Sequence, residues 1–427
     1  MKTSKQINWF KLDNAAKIYP ASHSRYWSNL FRMSATLYED VDLKVLEQAV
    51  KNTIPRFPSI AARLSEGLFW YYLRPVDDPP AILAEYSYPL AHMSKKELKT
   101  CAFRVIVYRK RIALEIFHSL TDGTGGLIFL KSLVAEYLEL KHNIEIPCEH
   151  GVLSRKESPK DYELEDSFLK NAAPIKETRK DSNAWKIDGT PEPDGFLNVT
   201  NFQMSSEHIL RLAHEKNVSV NTYLTAVMMK AILNLQVDLV KNPKNFKPVK
   251  VLIPINLRPI FNSKTLRNFA LYVIPEIDGR LGEYTLDEII DIVKYKVGAA
   301  ATKKNMSKMI QTNVADEQLL ALRIVPLFIK NIVMKMVFNM VGEKKSCLSF
   351  SNLGLIKLPE IMKEHIARID FVLGPQAQAP YNCSAYTYRD VLNVTFSRDI
   401  KESRLETYFF RELQALGIEV TVQSNQR

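Results

Sequence analysis

Apolar positions along this chain switch repeatedly between a period of two and a period near 3.6, the mark of strands and amphipathic helices in alternation. Residues 31–38, FRMSATLY, predict a strand. Behind it Leu43, Leu46, Ala49, Val50 and Ile54 share one helical face, with Asp40 or Asp42 as N-cap and Pro55 and Pro58 as the stop. Aromatic strand material around 69–72 leads to a predicted hairpin with arms 102–108 and 111–117 and Arg109-Lys110 at its turn. On the second arm Ile112, Leu114, Ile116 and His118 point the same way. A helix over 124–140 follows, its stripe formed by Leu127, Leu130, Val134, Tyr137 and Leu138.

The pattern lapses between about 142 and 196, a polar, Pro-punctuated run that predicts an exposed, partly irregular crossover. It divides the chain into halves, 1–195 and 196–427. The second half resumes with helices over 206–216 and 221–235, the latter capped by Ser219. Strands are predicted at 247–259, with Val249, Val251, Ile253 and Ile255 on one face, and at 270–275, 346–352, 369–373 and 390–397. A last helix covers 402–416. No repeat relates the halves. Adjacent strands with helices interspersed predict α/β layers (α+β in arrangement), not a doubly wound parallel sheet.

Composition changes this picture little. Of 427 residues 46% are hydrophobic and 25% charged, as in ordinary globular proteins. The stretch 319–341 is long enough to span a bilayer, but Arg323, Lys330 and Lys335 interrupt it and Pro326 would kink it. It is expected to cover the core or an apolar channel, with a face resting weakly on a membrane as the alternative. Cys101, Cys148, Cys347 and Cys383 have no metal-ligand spacing, so no metal is expected. They read as reduced thiols, and with no apolar leader near Met1 a cytoplasmic location is expected. The net charge of +11 favours an anionic partner, but the cations are dispersed and no nucleic-acid motif accompanies them. A phosphate-bearing small molecule fits as well as nucleic acid.

Chemistry concentrates at His118. Asp122 follows four residues on, then Gly123, and Gly125 and Gly126 open the predicted helix. A neutral imidazole on an inward-facing strand end suits a general base, although buried histidines bonded only to backbone are common.

The run EIFHSLTDGTGGLIFLKSL resembles the HxxxDG signature of the chloramphenicol acetyltransferase-like superfamily. Four further runs extend the resemblance over most of the chain: DLKVLEQAVKNTIPRFPSIAARL, VSVNTYLTAVMMKAIL, PINLRPIF and LSFSNLGLIKLP. Stand-alone alcohol-acetyltransferase-like proteins are the nearest subgroup. Phe117 stands where peptide-synthetase condensation domains carry a second histidine, and the DFGWG run of plant-type members is missing.

The resemblance implies two halves, each a mixed sheet with helices, and a tunnel between them where acyl-CoA, as co-substrate, meets an acceptor at His118 without an acyl-enzyme. It implies Ser351 as oxyanion donor, with Ser349 as rival and Asn352 as a substrate-binding candidate. Asp122 would point away from His118 to an Arg of the second half, expected to be Arg258, and would support the site together with Gly123. CoA phosphates need cations, for which Lys303, Lys304 and Lys308, or Lys344 and Lys345, are candidates. The expected acceptor is a small or apolar alcohol or an amine. A condensation-like module using a carrier-protein-tethered acyl group, or a non-catalytic binder, is the alternative. A serine hydrolase lacks its GxSxG elbow.

Overall fold

The computed structural model describes the chain except residues 1–8, 24–28, 86–87, 173–181, 319–324, 342–344, 377–378 and 427, and the side chains of 315–318, 335 and 337–341. It is a two-lobed α/β molecule with mixed sheets. In the first lobe β2 (Leu30–Leu37), β6 (Phe103–Tyr108), β7 (Arg111–Phe117), β5 (Ile82–Ala84) and β13 (Ile366–Leu373) form a sheet in the order β13-β2-β7-β6-β5. All its pairings are antiparallel except β5 with β6. A small sheet of β1 (Phe10–Lys11), β4 (Tyr71–Pro75) and β3 (Ala62–Glu66) lies beside it.

The second lobe holds β10 (Ala270–Val273), β9 (Val249–Asn256), β12 (Leu348–Ile356), β14 (Tyr381–Tyr388), β15 (Val391–Arg398), β8 (Asn198–Ser205) and β16 (Thr421–Ser424) in that order. A short strand, β11 (Glu276–Ile277), also pairs with β9. Here β12 runs parallel to both its neighbours. The chain returns briefly to the first lobe, because β13 belongs to the second half yet pairs with β2.

Local chemistry explains most boundaries. Asp42, not Asp40, caps helix Leu43–Thr53 by accepting from the Lys44 and Val45 amides. Ser219 accepts from Thr222 N at 3.1 Å to open helix Val220–Leu239. That helix is buried nearly all round and forms the centre of the second core with helix Arg404–Ala415. The hairpin turns on Arg109 in the left-handed region, φ 48°. Both faces of β7 are covered: Ala113, Glu115 and Phe117 are as buried as Ile112, Leu114 and Ile116.

Three expectations need correction. The crossover is not a loose surface run, because Ile146, Val152, Phe168, Trp185 and Ile187 are buried and anchor it. Arg56 makes a buried two-pronged pair with Glu163, at 2.7 and 2.8 Å, that fixes its middle. Strand β14 escaped the periodic reading since both its faces are buried, which erases the alternation, and β8 because its buried face carries Asn198 and Thr200 beside Phe202 and Met204. Within 319–341 a helix spans Leu327–Val341, but its outward face is apolar, so it does not simply cover the core. Arg323 lies outside the described residues, as does the side chain of Lys335. Among the described residues no helix is long and apolar enough to cross a membrane.

Candidate active site

Strand β7 ends at Phe117, and the chain leaves the sheet through five residues before helix Gly123–His142 begins. Each step of that turn is tied down. His118 N donates to Asn29 O at 2.9 Å, Ser119 Oγ to Ala16 O at 3.0 Å and Thr121 Oγ1 to Leu266 O at 2.6 Å. The approach to Leu266 leaves no room for a side chain at Gly125. A Cβ there would lie 2.0 Å from Thr121 Oγ1 and 2.4 Å from Leu266 O. Gly123 is less constrained, since a Cβ would meet the Leu353 side chain at 3.1 Å.

His118 lines a cavity of about 500 Å³ with walls from both lobes. Gly123, Asp122, Arg258, Ser349, Ser351 and Asn352 reach the same cavity, whereas Lys303, Lys304, Lys308 and Lys345 are not among its lining residues. Tyr19 stacks on the imidazole at 4.7 Å and 24°, and Phe31 meets it edge-on at 5.1 Å. Of the ring nitrogens, Nδ1 lies 3.3 Å from Asn268 Oδ1. Asn268 Nδ2 donates to His118 O at 3.1 Å and faces Asp13 Oδ2 at 3.4 Å. Both are acceptors, so the amide cannot be reversed without opposing oxygen to oxygen. Asn268 Oδ1 therefore needs a proton on Nδ1, and Nε2 is left as the basic nitrogen. Burial pulls this imidazole below its ordinary range, against its own backbone, Asp122 and Asn268, which all favour the cation.

Asp122 does not address His118. Its Oδ1 caps the helix, accepting from Thr124 N at 3.1 Å and Gly125 N at 3.2 Å. Its Oδ2 accepts from Arg258 at 2.8 Å and from Phe269 N at 2.9 Å. Burial opposes ionisation here, but the guanidinium and these donors prevail and hold the carboxyl below the usual range. Arg258 sits on the short turn after β9, not within the strand, and is buried. It also donates to Thr265 O at 2.8 Å, Arg267 O at 2.6 Å and Asn256 Oδ1 at 3.3 Å.

Ser349 and Ser351 alternate along β12 on its cavity side. Asn352 Oδ1 is engaged in a turn, accepting from Gly354 N at 2.8 Å where φ is +69°. Helix Lys303–Gln318 carries Lys303, Lys304 and Lys308 near its start and Asn313 at the cavity wall. Lys345 precedes β12, and Lys344 lies outside the described residues. Among the described residues one possible metal-ligand group occurs, Glu39, His142 and His365. It sits at the far end of helix Gly123–His142, about 30 Å from the cap. Sequence reasoning missed Asn268, Asp13 and Tyr19, which lie in segments without periodic signal; only their contacts mark them.

Neither a family model nor a curated protein matches the chain. Solved structures do. TRI101 of F. graminearum, complexed with coenzyme A and T-2 mycotoxin, superposes with a TM-score of 0.61 at 10% identity, covering 97% of this chain and 100% of that one. Polyketide synthase associated protein 5 from Mycobacterium tuberculosis gives 0.58 at 13% identity, over 97% and 99% of the two chains. The first condensation domain of the CDA synthetase gives 0.60 at 11% identity, over 96% and 95%. This is the chloramphenicol acetyltransferase-like fold.

Replacing Asp122 by Asn is expected to leave Arg258 buried without a counter-charge and to destabilise the protein by about 3–5 kcal/mol. Urea unfolding of the variant against the parent measures it.

Proposed function

We propose that this protein transfers an acyl group from a CoA thioester to an alcohol hydroxyl, with His118 as general base. The carrying observation is the half-buried imidazole whose Nδ1 is held by Asn268 in a cavity walled by both lobes. The acceptor hydroxyl gives its proton to Nε2 as its oxygen attacks the thioester carbon. The carbonyl oxygen takes the negative charge and accepts a hydrogen bond from Ser351 Oγ, with Ser349 as the alternative donor. Collapse expels the CoA thiolate, and the imidazolium returns the proton to that sulfur. No group is left on the protein.

Asp122 and Arg258 support the site by holding the turn and the helix start together, and Gly123 and Gly125 let that helix approach β12 and the Leu266 backbone. Asn268 is a positioning residue, itself oriented by Asp13. The start of helix Lys303–Gln318 lies about 15 Å along its axis from Asn313, so Lys303, Lys304 and Lys308 suit the phosphates of a CoA whose thiol reaches the cavity. Apolar walls from Tyr19, Leu271 and Phe371 favour an apolar alcohol. The fold neighbours support this chemistry: one binds coenzyme A and T-2 mycotoxin, and another, TRI3 of Fusarium sporotrichioides, is a trichothecene 15-O-acetyltransferase. Condensation domains share the fold, so a carrier-tethered donor is the competing reading.

Thiol release from acetyl-CoA with a panel of alcohols tests the proposal. His118→Ala is expected to lower kcat by about 10²–10⁴-fold; unchanged release in the folded variant removes the base assignment. Release only with a carrier-bound acyl group selects the competing reading. Because the neutral ring is the active form and burial lowers its pKa, the acidic limb of kcat/KM against pH should fall below the ordinary histidine range. Asn268→Ala should cost roughly 10–10³-fold in kcat with little change in either KM. Nitrogen-15 NMR of His118 should then lose its single Nδ1–H tautomer. A lowered kcat with the tautomer intact excludes the positioning role.

A further inference from the structure

Helix Leu327–Val341 has its polarity reversed for a surface helix. Lys330 turns inward, with 5% of its surface exposed, donating to Phe69 O at 2.9 Å and lying 3.4 Å from the centre of the Trp70 ring. Asn331 also turns inward and donates to the Tyr71 hydroxyl at 2.9 Å. Leu327 N donates to Leu68 O at 2.9 Å. These polar contacts pin the helix to the β3–β4 hairpin with the opposite face outward. Among the described side chains that face shows Phe328, Ile329, Ile332, Val333 and Met336, between 40% and 67% exposed. At 100° per residue the five fall within one arc of about 140°. Leu68 beside it, at the hairpin tip, is 72% exposed.

We propose that this face docks on an anionic lipid surface and passes an apolar alcohol from it to the His118 cavity. A protein interface carries about one hydrogen bond per 100–200 Å², whereas the five outward side chains hold no hydrogen-bonding group. A hydrocarbon phase asks for none. Charge agrees, since the chain carries +11. Exposed Lys11 on β1 and Lys17, whose Nζ lies 5.4 Å from the Trp70 ring, flank the hairpin. Trp9, 51% exposed and edge-on to Tyr72, supplies an interfacial aromatic next to them.

The face also adjoins the site. Helix Leu327–Val341 packs on helix Ile18–Ser22, whose Ile18 and Tyr19 line the cavity, and Tyr19 stacks on His118. The acceptor part of the proposal rests on the acyl-transfer reading; the docking part does not.

Flotation of the full chain with phosphatidylcholine vesicles, with and without phosphatidylglycerol, tests docking in the absence of any substrate. The protein is expected to float with phosphatidylglycerol vesicles, less so at high salt. The double variant Phe328→Glu/Ile332→Glu should weaken partitioning at least about tenfold. It should keep the parent's melting temperature and its thiol release with acetyl-CoA and a short alcohol. With a long-chain alcohol supplied in vesicles, its release should drop alongside the lost binding. Failure of the parent to float, or equal flotation of the variant, overturns the proposal. So does a dimer in sedimentation that the variant dissociates, without flotation, which assigns the face to a second copy. Flotation without thiol release from any alcohol leaves docking standing and refutes acyl transfer from a CoA thioester to an alcohol.

Discussion

The arrangement around His118 depends on one carboxylate. Asp122 receives two amides of the helix it opens, a guanidinium from the other lobe and the amide of Phe269. A buried anion with four donors has no capacity left for catalysis and no freedom to move. It fixes helix, turn and lobe against one another, and His118 sits within that frame four residues upstream. The stacked Tyr19 and the tight contact at Gly125 complete a turn whose geometry is over-determined.

The imidazole itself is governed by different forces. Desolvation disfavours its charged form, while Asn268, held by Asp13 and by the His118 carbonyl, settles which nitrogen carries the proton. The resulting chain from Asp13 through Asn268 to Nδ1 occupies the place that a direct aspartate contact would have in a triad, but it carries no charge to the ring. An imidazole aimed in this way suits the proposed reaction, in which one nitrogen both takes and returns a proton.

Polarity is inverted in two further places. The crossover between the halves reads as surface yet buries Phe168, Trp185 and Ile187, with its Glu163 paired to Arg56 of the first half. Helix Leu327–Val341 hides a lysine and an asparagine and presents hydrocarbon. In both, a few strong polar contacts with distant parts of the chain decide the orientation of a longer segment, against what its average composition suggests.

The sequence by itself determined the strands with one solvated or distinct face, the capped helices and the cluster at His118, because these depend on periods and caps spanning a few residues. It also placed Asp122 and Arg258, 136 residues apart, as partners, through a resemblance to known chains and not through any local signal. Tertiary structure alone decided what depends on distant segments meeting. It set β8 and β14 inside a sheet, where β14 is covered on both faces and β8 buries the polar Asn198 and Thr200, and moved β13 into the other lobe. It brought Asn268 and Asp13 to the histidine. It also turned the Leu327–Val341 helix apolar side out, since hairpin partners for Lys330 and Asn331 exist only after folding. At His118 the HxxxDG run named the residue, and only the folded neighbourhood selected the nitrogen.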